Sequence, residues 1–97
     1  MEEETISGKQ CRVLLDVERT TMFNYSRFLG FETNEFTLYQ AQRLLEMKLF
    51  LGVNNRKGKR EDFLLRTPEE LNQELSEWGI DINQSMSKRR EKIAHDF

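Results

Sequence analysis

Residues 37–52, TLYQAQRLLEMKLFLG, constrain the fold more than any other part of the chain. Thr37 and Gln40 have the spacing of a capping box, in which the Thr hydroxyl accepts a backbone N–H and the Gln side chain returns the bond. Gly52 then supplies a left-handed stop. Between them Leu38, Ala41, Leu44, Leu45, Met47, Leu49, Phe50 and Leu51 cover more than the single stripe of a surface helix. A narrow polar side with Gln42, Arg43 and Glu46 is left. A helix with so wide an apolar arc has to be central in the fold or shared with a second subunit.

The flanking segments predict more helix. Residues 1–6 carry three consecutive glutamates and no periodicity, which reads as a disordered tail. Ser7 and Gln10 form another capping-box pattern, and Cys11, Leu14, Leu15, Met22, Tyr25 and Leu29 follow at helical steps up to Gly30. The expectation is one helix over residues 8–29. A short strand at CRVLLDV, or a break near Thr20, fits the same β-branched residues. VNNRKGKRED interrupts all periodicity and reads as a loop. Thr67, Pro68 and Glu70 make a strong helix start, with Leu71, Leu75 and Trp78 on one face and Gly79 as the end. FLLR, just before it, suits either a short strand near Phe63 or an apolar clamp on Leu71. A last helix starts near Asp81 or Asn83 and turns Ile82, Met86 and Ile93 inward. The predicted fold is therefore all-α, a bundle of about four helices with room for one minor strand, in a single domain over residues 7–97.

The inventory disfavours catalysis. His95 is the only histidine and lies near the end of the sequence, so no Ser-His or Cys-His pair is evident. One Cys and one His give no zinc-ligand spacing, and neither metal nor cofactor nor small-molecule substrate is expected. Cys11 sits beside Leu14 and Leu15, where a thiol is ordinarily buried and inert. GVNNRKGKR has five residues between its glycines and Arg60 after the lysine, so it departs from the phosphate-loop pattern. The longest apolar run, residues 49–51, is far short of the ~20 residues of a membrane helix. With an acidic start and a lone cysteine, the expected compartment is the cytoplasm.

Two constellations remain. In FNYSRFLGFETNEFTLYQ, Ser26 is small and Gly30 follows four positions later, with Tyr25, Leu29, Phe31, Phe36 and Tyr39 able to form a shared core. That spacing fits a helix-turn-helix over residues 23–40 whose second helix offers Thr33, Asn34, Thr37 and Gln40 to double-stranded DNA. Glu32 and Glu35 oppose a phosphate backbone there, and a plain corner between two core helices has the same spacing. Two basic runs add support: Arg56, Lys57, Lys59 and Arg60 on the loop, and Lys88, Arg89, Arg90 with Lys92 on the last helix. They equally complement the acidic helix that bears Glu69, Glu70, Glu74 and Glu77. A net charge of −2 confines any nucleic-acid contact to a local patch. The leading expectation is a small non-enzymatic DNA-binding or regulatory module. The alternative is a helical protein-protein adaptor, for which a homodimer would bury Phe50, Leu51, Phe63 and Trp78.

Overall fold

A computed structural model describes residues 5–31, 34–52 and 60–96. The described residues form β1 (Thr5–Ser7), α1 (Gly8–Leu15), α2 (Arg19–Leu29), β2 (Glu35–Thr37), α3 (Leu38–Gly52), α4 (Arg60–Leu64), α5 (Pro68–Glu77) and α6 (Ile82–Asp96). The molecule is an all-α bundle with one minor two-stranded sheet.

The capping boxes form at the three places where the sequence has them. Gln10 N–H donates to Ser7 Oγ at 3.1 Å, Gln40 N–H to Thr37 Oγ1 at 3.1 Å, and Glu70 N–H to Thr67 Oγ1 at 3.2 Å. Each is reciprocated by a bond from the capping residue's own N–H to the Gln or Glu side chain. Each box thus satisfies two of the donors that a helix start leaves without partners.

The single helix expected over residues 8–29 is instead two. Asp16 adopts the left-handed conformation at φ 57°, and its N–H reaches back to the Arg12 and Val13 carbonyls while Val17 N–H also donates to Arg12. This is the bonding of a Schellman stop, and Gly30 and Gly79 end α2 and α5 in the same way at φ 80° and 83°. Asp tolerates the left-handed region better than most residues with a β-carbon. What stabilises the stop comes from far along the chain. Lys48 Nζ of α3 donates to the carbonyls of Leu15 and Asp16, and Arg89 Nη1 of α6 donates to that of Leu14 at 2.6 Å. Two cations therefore sit on the carbonyl end of α1, where the helix field favours positive charge. Burial holds the Lys48 ammonium below its ordinary pKa, the Arg89 charge adds to that, and Asp16 opposes it.

The minor sheet is not near Phe63. That residue lies in helix α4, and the strands are β1 and β2, antiparallel with Thr5 opposite Thr37, Ile6 opposite Phe36 and Ser7 opposite Glu35. Thr5 and Ile6, the last two residues of the expected tail, lie in β1. The alternating pattern buries Ile6 and Phe36 and exposes their neighbours, as a strand with one covered face requires.

α3 is central because it serves two cores. Ala41, Leu44 and Leu45 pack with Cys11, Leu14, Leu15, Phe36 and the inward residues of α6. Met47 and Phe50 pack with Phe63, Leu71 and Leu75. The wide apolar arc is filled within one chain: Phe50 and Phe63 are fully buried, and Leu51 and Trp78 are packed against the second core. Phe50 lies 5.9 Å from Phe63 and 6.0 Å from Trp78, within the range of favourable ring pairs. The Arg43 guanidinium lies 4.6 Å from the Phe63 ring centre, and that of Arg66 lies 4.7 Å from Phe50. Glu46, buried on α3, is paired with Arg43 at 3.0 Å.

Candidate nucleic-acid interface

The described residues expected to touch DNA lie on separate elements: Asn34 just before β2, Thr37 in β2, Gln40 on α3, Arg60 on α4, and Lys88, Arg89 and Arg90 on α6. Thr33, Arg56, Lys57 and Lys59 lie outside the described residues; Arg60 opens α4. A helix-turn-helix needs a turn of about three to four residues, whereas residues 30–37 separate α2 from α3 and include β2. Pairing with β1 draws residues 35–37 out into a strand and buries Phe36. Thr37 and Gln40, assigned to base contacts, spend their side chains on each other's backbone N–H groups. Asn34 remains exposed, and its carbonyl accepts the Gly8 N–H at 2.9 Å. On α6, Lys88 and Arg90 are exposed but Arg89 turns inward to α1. Adjacent residues on a helix point apart, so the run of basic residues does not make one basic face.

A different basic surface is present. A cleft of about 790 Å³ opens between α1, α2 and the segment leading into β2. Gly8, Lys9 and Arg12 line it from α1, and Arg19, Met22, Phe23, Ser26 and Arg27 from α2, with Phe31, Asn34 and Phe36 beyond. Four of the described lining residues are cationic and none is a carboxylate. One-signed charge on low-dielectric walls focuses the field and raises the local concentration of anions.

Helical spacing explains the arrangement. Arg19, Phe23 and Arg27 recur at steps of four on α2, and Lys9 and Arg12 at a step of three on α1, so each set shares a face. The stop at Asp16 ends one wall before the other begins. Ser26, 6% exposed, lies in the lining and donates its hydroxyl to the Met22 carbonyl at 2.9 Å. Phe23 is 56% exposed, an unusual state for a phenylalanine, and the Arg27 guanidinium lies 5.7 Å from its ring centre. The Arg27 guanidinium therefore sits over one face of the Phe23 ring at the cleft.

These cations were missed because neighbouring basic residues were sought rather than periodic ones. The spacing is readable from sequence only helix by helix, as Lys9 and Arg12 three apart on α1 and Arg19, Phe23 and Arg27 four apart on α2.

The one cysteine, Cys11, is fully buried in the first core, and burial pushes its thiol up to about 12, which keeps it protonated. Among the described residues, no helix is long and apolar enough to cross a membrane, and no group of three or more His, Cys, Asp or Glu is placed to hold a metal ion. No protein family, curated protein or solved structure matches this chain.

Proposed function

We propose that this chain is a small, non-enzymatic nucleic-acid-binding module, regulatory in the sense that it binds and does no chemistry, and that its contact surface is the cationic cleft between α1 and α2. The observation that carries this reading is the convergence of Lys9, Arg12, Arg19 and Arg27 on one cleft with no carboxylate among its described lining. Each cation that meets a phosphate releases condensed counterions, so affinity falls with salt in proportion to the number of contacts. A cytoplasmic location belongs to the same proposal, supported by a cysteine that is free and buried.

The test is a titration of labelled oligonucleotide at low and moderate salt with the native chain, Arg12→Ala, Arg27→Ala and a Lys88→Ala/Arg90→Ala control. Each cleft substitution is expected to weaken binding and to reduce the log–log salt slope by roughly 0.7 to 0.9. The α6 control is expected to bind like the native chain. Absence of binding at low salt, or cleft variants with native affinity and slope, ends this reading.

A protein adaptor is the second reading, favoured by Leu64 and Leu65, which are 52% and 79% exposed side by side at the end of α4. Next to them α5 presents Glu69, Glu70 and Glu77 to solvent. An apolar pair rimmed by acids suits a basic, partly apolar partner or a second copy of the chain. Light scattering and pull-down with Leu64→Ser/Leu65→Ser decide it: a strict monomer that retains no partner, or a variant that retains the same one, removes its support.

A further inference from the structure

The cleft's occupant can be specified further, on the premise that it binds nucleic acid. We infer that it takes a single-stranded segment, with Phe23 as the platform for a base and Arg27, Arg12 and Arg19 along the phosphates. Three observations lead there. The first is shape: the surface is concave and of about 790 Å³, inside the range of roughly 300–1,000 Å³ typical of pockets that enclose a ligand. A duplex is read by a helix or ribbon that projects into its groove, whereas the described residues here line a hollow. A single strand bends and feeds one or two nucleotides into a hollow.

The second observation is Phe23. Arg27 lies over one face of this ring, which is still 56% exposed, so a base stacks on the face opposite the guanidinium, and stacking of this kind tolerates all four bases. Met22 and Phe31, half-buried beside it in the lining, extend the apolar floor on which a base would rest. The third is the spacing of ring and charge. With the Arg27 guanidinium 5.7 Å from the ring centre, base and phosphate of one nucleotide meet their partners together. A peptide rich in carboxylates satisfies the cations but leaves Phe23 in water, so the ring selects a nucleotide over an acidic chain.

The experiment uses the full chain and four probes: a labelled 12-mer of dT, the same length of U, a duplex of equal length, and heparin as a polyanion without bases. Native protein is compared with Phe23→Leu and Phe23→Trp, whose fold is checked by circular dichroism and melting temperature. The single strand, as DNA or RNA, is expected to bind at least about tenfold more tightly than duplex at matched salt. Phe23→Leu is expected to weaken single-strand binding by about 5- to 100-fold with the salt slope unchanged. Phe23→Trp is expected to retain it, and its added indole emission to be quenched by the strand and not by heparin. Duplex or heparin bound as tightly as the strand, or Phe23→Leu equal to native, overturns the single-strand inference while leaving the cationic cleft in place. No binding of any probe at low salt overturns the cleft reading itself.

Discussion

Ile6 and Phe36 are register partners across the antiparallel pair of β1 and β2, and both are buried, Phe36 to 1% exposure. Through them the first described residues are tied to the entrance of α3, with Gly8 N–H bonded to the Asn34 carbonyl just beyond. The pair closes one end of the first core, and Phe36 at the same time lines the cleft.

Truncating this contact is expected to be costly. Phe36→Ala removes a fully enclosed ring and should lower the unfolding free energy by about 3–5 kcal/mol, against about 0.5–1.5 kcal/mol for Ile6→Val. Urea denaturation of the two variants checks both the size and the order. A Phe36→Ala loss as small as that of Ile6→Val would mean that the strand pair is not closed in solution.

Thr37 and Gln40 separate stability from binding. Because each side chain bonds the other's backbone, Thr37→Ala should cost about 1 kcal/mol of stability. Gln40→Ala should cost a similar or smaller amount. Neither is expected to change affinity for an oligonucleotide. Anisotropy titration alongside thermal melting measures the two effects on one sample.

The end of α1 depends on α3 and α6. Replacing Arg89 by Ala or Lys48 by Met removes a charged donor from the carbonyls of Leu14 or of Leu15 and Asp16. A loss of about 1–2 kcal/mol is expected for each. Since the Arg89 and Lys48 charges repel each other, each single variant relieves that repulsion, and the double variant should lose more than the two losses added together, as a double-mutant cycle would measure.

Cys11 gives a pH signature. Its folded-state pKa, about 12, is raised above the ordinary 9.0, so only the unfolded chain releases the proton between these values. Its contribution to stability is therefore complete below about 9 and is lost progressively as the pH rises towards about 12. Stability of the native chain relative to Cys11→Ala should decline over that window and stay constant below it. Iodoacetamide at pH 8 should label the native thiol only through unfolding, which mass spectrometry with and without urea tests.

Much of the local architecture is legible from residue order alone. Ser7 with Gln10, Thr37 with Gln40, and Thr67 with Glu70 are decided by side chains three positions from the backbone groups they serve, and the stops at Gly30 and Gly79 by residues without a β-carbon. The inward faces of α5 and α6 follow from periodicity for the same reason. Strand β1 is three residues long and has no period to display. It was hidden beside the acidic tail, and without its partner the segment from Gly30 to Thr37 resembles a tight turn.

The sequence by itself determined where helices start and stop wherever the signal was local, together with the all-α class and the apolar arc of α3. Tertiary structure alone decided that α1 ends at Asp16, that Phe36 joins Ile6 in a sheet, and that Lys9 and Arg12 face Arg19 and Arg27 across a cleft. The physical reason is range. A capping bond closes within one turn of chain, whereas the Lys48 ammonium reaches the Leu15 carbonyl across 33 positions and exists only after the core has brought α1 and α3 together.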